Sequence, residues 1–357
     1  MRYSSTWTTG ASTKRPCEDG KRNPNPVSAN VLVTRRIPDE SIRMLEAACG
    51  VVDVNPHDRA MTRGEFLEAV KGRDGLLCLL TEDIDDEVLD ISPGLKGIAM
   101  YAVGYNNVDV DACTRRGIPV SNTPGVLTDT TADIAWALIF ATARRVAEGD
   151  RFVREGRFAG WGPLLMLGSD VTGKTLGIIG AGRIGTATAR RAAGFSMPVV
   201  YTSRKRNATI ECTGARYLPL DDLLGEADFV SLHVPLTPET THLISERELD
   251  LMKPTAYLIN TTRGPVVDEK ALVRALREGA IAGAGLDVFE REPELEPGLA
   301  DLENVVMLPH VGSGTVATRI KMGNTAAANL IAMVSGEDPP NCVNPEWKRF
   351  KSSTSSE

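Results

Sequence analysis

The stretch Thr175–Gly185, TLGIIGAGRIG, constrains the chain more than any other. An apolar run ends on Gly180, and Gly180, Gly182 and Gly185 form a G-x-G-x-x-G spacing at the start of a helical pattern over Arg183–Ala193. A second apolar run, VVYTS at 199–203, follows. Strand, glycine turn, helix and strand in this order make the βαβ unit of a dinucleotide-binding fold. Gly180 permits the tight turn, Gly182 lets backbone N–H groups approach a pyrophosphate, and Gly185 lets the helix pack on the strand. The helix start at Arg183 and Ile184 then offers unsatisfied N–H groups and a partial positive charge to that anion.

The same fingerprint expects an Asp or Glu about 20 residues beyond the loop, to accept from the adenosine ribose 2′-hydroxyl. Ser203 holds that place, followed by Arg204, Lys205 and Arg206. A carboxylate there would repel a 2′-phosphate, whereas a hydroxyl beside guanidinium groups would bind one through charge-assisted hydrogen bonds. On spacing, that reading is preferred to a solvated basic turn. The expected cofactor is NADP(H), with NAD(H) as the alternative.

Around this unit the chain alternates strands and helices. Apolar runs begin at VLVT after Asn30, GLLCLL (75–80), LKGIAMYAVG (95–104) and IPVSN (118–122). They resume at DFVSLHV (228–234), AYLIN (256–260), AGAGLDV (282–288) and VVMLP (305–309). Helical patterns lie between, over Asp39–Ala48, Asp129–Glu148 with its N-cap at Thr128 or Asp129, and Glu269–Glu278. Continuous apolar strands separated by helices predict parallel sheets covered on both faces. The 357 residues suit two such α/β domains.

A net charge of −7 argues against general nucleic-acid or anionic-membrane binding, and no apolar run is long enough to span a bilayer. Six scattered cysteines without paired spacing fit a reducing compartment, and a cytoplasmic location is expected. Four histidines without H-x-x-x-H spacing make a dedicated metal site unexpected. Residues 1–28 are polar and lack both apolar periodicity and the core of a secretory signal, so they are expected to be a disordered extension; 348–357 is expected to be a disordered tail.

Three strand ends carry candidate chemistry. His310 follows VVMLP, Arg263 follows the strand in LINTTRG, and Glu292 lies in the DVFEREPE loop. Ligands of doubly wound sheets meet the chain at such ends. An imidazole suits proton transfer near neutrality, a planar guanidinium suits bidentate capture of a carboxylate, and a carboxylate beside an imidazole favours its protonated form.

These residues, together with YAVGYNNVDVDACTRRGIPVSNTPGVLTDTTAD, GKTLGIIGAGRIG, DFVSLHVPLTPETTHLI, LMKPTAYLINTTRGPVVDEKALVRAL, AGAGLDVFEREP and LPHVGSGT, resemble the D-isomer-specific 2-hydroxyacid dehydrogenases. Within that family the likeness is greatest to glyoxylate/hydroxypyruvate reductases, and it runs from about Val31 to Pro345. The resemblance implies reduction of glyoxylate and hydroxypyruvate to glycolate and D-glycerate. Arg263 would bind the carboxylate, His310 would donate the proton and Glu292 would support the imidazolium. It further implies that Leu79 and the backbone at Val103 and Gly104 complete the substrate pocket. Asp287 would orient the nicotinamide carboxamide, and Thr128, Pro235, Thr262 and Gly312 would line the cofactor cleft.

By the same resemblance, residues 29–128 and 312–347 form one discontinuous, flavodoxin-like substrate domain, and 129–311 a Rossmann-type cofactor domain, with the active site in the cleft between them. The usual assembly is a homodimer in which the arm 152–168 crosses to the partner. The family often has Asp where this chain has Asn106, and Ala where it has Thr262; altered packing or affinity is expected rather than loss of activity. The resemblance leaves room for two other outcomes. One is a dehydrogenase of another 2-oxo acid, such as a 2-ketogluconate reductase or a phosphoglycerate dehydrogenase. The other is a cofactor-sensing, corepressor-like scaffold.

Overall fold

The computed structural model describes residues 27–351. They form two wholly parallel sheets. The first contains β1 (Val27–Val33), β2 (Cys49–Val54), β3 (Gly75–Cys78), β4 (Gly97–Met100) and β5 (Val120–Ser121), in the order β2-β1-β3-β4-β5. The second contains β6 (Leu176–Ile179), β7 (Val199–Thr202), β8 (Arg216–Tyr217), β9 (Phe229–Leu232), β10 (Tyr257–Asn260), β11 (Gly283–Leu286) and β12 (Val305–Met307), in the order β12-β11-β10-β9-β6-β7-β8. In each sheet the winding reverses beside the first strand, and the carboxyl ends of the strands flanking that reversal are where ligands of such sheets bind.

The inner strands are apolar on both faces because helices cover both. All four residues of β3, β4, β6, β9, β10 and β11 are buried. The helix Thr128–Ala143 lies on the second sheet, where a Cβ added to Gly285 would come within 2.9 Å of Leu138 Cβ. The helix Val316–Val334 returns to the first sheet. Its N-cap Thr315 accepts from Thr318 N–H, and its buried face includes Met322, Ala326, Leu330 and Met333. Gly75 and Gly97 make room for it: added Cβ atoms would stand 2.9 Å from Leu330 Cδ1 and 2.5 Å from Met333 Sδ. Asn344, 2% exposed, then joins the C-terminal segment to β5 by accepting from Val120 N–H (2.8 Å) and donating to the Ile118 carbonyl (3.0 Å).

Several local expectations are corrected. The pattern over Asp129–Glu148 is two helices, Thr128–Ala143 and Val146–Arg154, because Arg145 takes a left-handed φ of 53°. The break has a distant cause: Ser169 N–H donates to the Ala143 carbonyl (2.8 Å), and any Cβ at Gly168 would overlap that oxygen. The first of these helices has Leu127 at its N-cap with no side-chain capping bond, so Thr128 and Asp129 lie inside its first turn. The first strand opens at Val27, within the segment expected to precede the fold, while residues 1–26 of that expectation lie outside the described residues. Residues Lys348–Lys351 of the expected C-terminal tail are helical, and the Lys348 ammonium pairs with Asp338; residues 352–357 are outside the described residues.

Candidate active site

The glycine loop follows β6. Gly180 has φ 103°, open only to glycine at low cost, and a Cβ on it would press within 2.6 Å of the His233 carbonyl group. A Cβ at Gly185 would overlap the Gly180 carbonyl oxygen. Gly182 differs. Its backbone suits any residue, and a Cβ there would meet nothing within 4 Å. Packing within the chain therefore does not require glycine at 182, whereas a ligand seated before the helix Arg183–Ala192 would. That helix has no side-chain capping bond at its start, so its leading N–H groups face the same ground. His233 continues β9 beside Gly180; its Nε2 meets Ser231 Oγ at 2.9 Å, while Nδ1 has no hydrogen-bond partner among the described residues. These features fit the pyrophosphate of a dinucleotide.

At the expected ribose end, Ser203 Oγ donates to the Lys205 carbonyl (2.6 Å), and Arg204 is exposed. Asn207 holds this turn to the glycine loop by donating to the Ala181 carbonyl at 2.6 Å. Arg206 is engaged by neighbours within the chain. Its Nε donates to Glu211 (2.8 Å), and its guanidinium lies 5.8 Å from the Tyr217 ring centroid. Of the two arginines expected there, Arg204 is the less committed.

The second set of groups comes from the loops after β10, β11 and β12. Asn260, 1% exposed at the end of β10, accepts from Thr262 N–H (3.0 Å) and Thr262 Oγ1 (2.7 Å), and its amide donates to the Arg263 carbonyl (3.0 Å). This turn presents Arg263, so the Thr262 hydroxyl is used within the chain. The Arg263 Nη1 donates to the Thr262 carbonyl (2.8 Å), and Nε reaches Asn106 Oδ1 in the loop after β4 (3.1 Å). A Cβ at Gly104 would overlap the guanidinium. Burial lowers the Arg263 pKa from its ordinary value, with the charge of Glu292 acting the other way.

Glu292 follows β11 in the loop beside Arg263. Its Oε1 accepts from Phe289 N–H (3.1 Å), and its Oε2 lies 2.9 Å from His310 Nδ1. Burial raises the Glu292 carboxyl, but hydrogen bonding to His310, its charge and the Phe289 N–H outweigh burial, so the net shift is downward. His310 has a left-handed φ of 54°, a conformation that costs a β-carbon-bearing residue on the order of 1–3 kcal/mol. Asp287 secures it: its two carboxylate oxygens accept from Val311 and Gly312 N–H, both at 2.7 Å. Burial raises the Asp287 carboxyl. Asp287, expected from the resemblance to meet the cofactor, fixes the backbone after His310 in this structure.

Further residues without a role in the sequence reading bind these loops together. Glu269, 3% exposed, and Glu290 accept from each other's backbone N–H (2.8 and 3.3 Å). His242 N–H donates to the Pro265 carbonyl (2.8 Å), and its Nε2 lies 2.9 Å from Glu290. A Cβ at Gly264 would overlap the Phe289 carbonyl group. The Arg263 and Glu292 loops are therefore one packed unit. Across the cleft, Leu79 and Val103 are half-buried and pack against the core of the first sheet, as does Ile184 of the glycine loop. Thr128 N–H donates to the Gly125 carbonyl (3.3 Å), and the Pro235 carbonyl accepts from Thr240 Oγ1 (2.6 Å).

Two doubly wound sheets, a glycine loop at one reversal and an Arg–Glu–His group on the same sheet define a nicotinamide-dependent oxidoreductase acting on a small oxygenated acid. The chain belongs to the D-isomer-specific 2-hydroxyacid dehydrogenases. Residues 136–312 match the family described as D-isomer specific 2-hydroxyacid dehydrogenase, NAD binding domain. A glyoxylate reductase of Thermococcus litoralis is 53% identical over 321 residues, covering 88% of this chain and 97% of that protein. The crystal structure of the TT0316 protein from Thermus thermophilus superposes with a TM-score of 0.82 at 46% identity, covering 88% of this chain and 99% of that one. An NADPH-dependent glyoxylate/hydroxypyruvate reductase from Sinorhizobium meliloti, solved with NADP and malonate, gives 0.78 at 33% identity over 90% and 98%.

Proposed function

We propose that this dehydrogenase reduces glyoxylate and hydroxypyruvate, with Arg263, His310 and Glu292 as its working side chains. The observation that carries the reading is the 2.9 Å contact of His310 Nδ1 with Glu292, beside a guanidinium that donates to Asn106 Oδ1 and to the Thr262 carbonyl. When bound, a nicotinamide supplies hydride to the substrate carbonyl carbon. The Arg263 guanidinium draws the carboxylate in and polarises the carbonyl. With Nδ1 held by Glu292, Nε2 of a protonated His310 is the ring nitrogen free to give its proton to the carbonyl oxygen. In the reverse direction the same imidazole takes the hydroxyl proton.

NADP(H) is the preferred cofactor on this reading. Support comes from the hydroxyl of Ser203 in the place of an acid, the exposed guanidinium of Arg204 and the named cofactor of the Sinorhizobium relative. A homodimer is supported by the helix Val146–Arg154, which buries none of its residues. The arm after it also leaves Phe158, Trp161, Leu164 and Leu167 at 52–84% exposure. The five described cysteines are free, which accords with a reducing, cytoplasmic setting. Among the described residues no helix is long and apolar enough to cross a membrane. On this reading residues 29–128 and 312–347 form the substrate domain and 129–311 the cofactor domain.

The test is steady-state kinetics with NADPH and NADH against a panel of 2-oxo acids. Efficient glyoxylate reduction with NADPH is the expected result. Turnover confined to larger 2-oxo acids would move the enzyme to another branch of the family. Cofactor binding without turnover of any 2-oxo acid would refute the proposal.

A further inference from the structure

The turn after β3 is held by two side chains, one at its end and one from the loop after β4. Glu82 is buried where the turn closes. Its Oε2 accepts from Leu79 N–H (2.9 Å) and from Thr34 Oγ1 (2.7 Å), and its Oε1 accepts from Thr81 Oγ1 (2.5 Å). Thr34 is buried just after β1, so this carboxylate bridges the two strand ends that flank the reversal in the first sheet. All three donors are neutral, and a buried carboxylate is costly unless its oxygens are met in this way. Asn107 completes the hold. Its Nδ2 donates to the Leu79 carbonyl (3.0 Å) and to the Glu82 carbonyl (2.6 Å). Both polar groups of the Leu79 backbone are therefore fixed by side chains, the N–H by Glu82 and the carbonyl by Asn107. The residue before Asn107 reaches the other way: Asn106 Oδ1 accepts from Arg263 Nε at 3.1 Å. Leu79 and the Arg263 guanidinium are thus joined through two consecutive asparagines. Loosening the Glu82 end would free Leu79 and leave the contact of Asn106 with Arg263 in place.

We propose that Glu82 is a positioning residue that holds Leu79 at a set distance from Arg263 and so confines the enzyme to 2-oxo acids with small side chains. The proposal rests on the reading of Arg263 as the carboxylate anchor and of Leu79 as a wall of the substrate pocket. On that reading, an acid held at Arg263 has room for its side chain only as far as Leu79. A satisfied buried network is stiff, so the leucine does not withdraw to admit a larger group. Glu82→Gln keeps an oxygen for Leu79 N–H and Thr34 Oγ1, and its amide can donate to Thr81 Oγ1. Glu82→Ala removes every one of these bonds. Thr34→Val removes one of them at nearly the same side-chain shape, and leaves Glu82 in place.

The experiment measures kcat/KM for glyoxylate and for the bulkier phenylpyruvate, at saturating cofactor, in the wild type and the three variants. The ratio of the two substrates cancels changes in folded fraction, which a merely structural role would produce. Glu82→Ala is expected to raise the phenylpyruvate:glyoxylate ratio about tenfold, the scale of a small change in pocket size. Thr34→Val should raise it about threefold, and Glu82→Gln should leave it within about twofold of the wild type. An unchanged ratio in Glu82→Ala overturns the proposal, as does a rise in Glu82→Gln equal to that in Glu82→Ala. Should Glu82→Ala fail to fold, an unchanged ratio in Thr34→Val overturns it instead. A wild type that uses phenylpyruvate as well as glyoxylate, or neither, overturns the small-acid reading of the site itself, and the role of Glu82 falls with it.

Discussion

His310 Nδ1 lies 2.9 Å from Glu292 Oε2, and the contact joins the loops after two neighbouring strands, β11 and β12. It fixes the imidazole ring and commits one nitrogen, so that the chemistry falls to Nε2. His310→Ala is expected to lower kcat by about 10²–10⁴-fold, the range for a lost general acid. Cofactor affinity, measured by quenching of protein fluorescence, should stay within about threefold because His310 lies outside the glycine loop. Unchanged turnover would remove His310 as the proton donor. Glu292→Gln keeps a hydrogen-bond acceptor but loses the charge, so a smaller fall, about tenfold, is expected.

Arg263 is built into its turn by Asn260 and abuts the backbone of Gly104. Arg263→Lys places a charge nearby but loses the planar fork and the Nε donor. It is expected to cost two to three orders of magnitude, roughly, in kcat/KM for 2-oxo acids. Gly104→Ala should have a comparable effect on KM, since its Cβ would displace the guanidinium, while thermal stability changes little. A Gly104→Ala enzyme with wild-type KM would show that the guanidinium moves freely in the cleft.

Cofactor choice is tested at Ser203. Ser203→Asp puts a carboxylate where a 2′-phosphate would lie and leaves Arg204 in place. The ratio of kcat/KM for NADPH over NADH is expected to fall by about a hundredfold. Arg206→Ala should alter that ratio much less, because Arg206 is paired with Glu211 and stacked near Tyr217. If Arg206→Ala has the larger effect, the observed pairing must open on cofactor binding.

Much of this fold is legible in the sequence for a physical reason. Inner parallel strands are apolar on both faces, so β3, β4, β6, β9, β10 and β11 announce themselves as short continuous runs. The groups that gather at their ends stand in short strand-to-loop motifs. Edge strands lack that signature. In β2 only Cys49 is buried, and Gly50 and Asp53 break its apolar run, so CGVVDV carries no such signature. β8 has two residues, neither buried. The break at Arg145 cannot be read locally, because it is imposed by Gly168 and Ser169 more than twenty residues on. A basic run does not reveal which of its members a local acid will pair, and here Glu211 pairs Arg206. Nor does the motif GLDVF show that both Asp287 oxygens hold N–H groups of the His310 loop. Asn260 is within reach of sequence reasoning: an Asn ending the strand YLIN, before TTRG, is the usual material of a side-chain-stabilised turn.

The arm gives a prediction about assembly. Trp161 is 84% exposed and Leu164 80% exposed, exposed apolar area of the kind that marks an interface. Trp161→Arg combined with Leu164→Asp is expected to raise the dimer dissociation constant by at least about thirtyfold, the scale of one lost hot spot. Sedimentation velocity across a concentration series reads this directly. A wild-type chain that sediments as a monomer at micromolar concentration would end the dimer proposal.

His233 gives the last prediction, on acid stability. Burial lowers its imidazole pKa from 6.5 to about 3. The folded protein therefore holds this ring neutral where the unfolded chain protonates it. A group whose folded pKa is depressed contributes no penalty above its unfolded value and costs stability progressively as pH falls toward its folded value. Here that window runs from about 6.5 down to about 3. Acidification from pH 6.5 to 5 should remove about 1.5 kcal/mol through this ring alone. His233→Gln has no titrating group in that window, so its loss of stability over the same step should be smaller by that amount. Urea unfolding of both proteins at the two pH values measures the difference, and each curve needs only its midpoint and slope. The comparison is internal to each protein, so any constant cost of the substitution cancels. Parallel losses in the two proteins would mean that His233 protonates in the folded state as readily as in the unfolded one, and the ring would then have to reach solvent past Gly180.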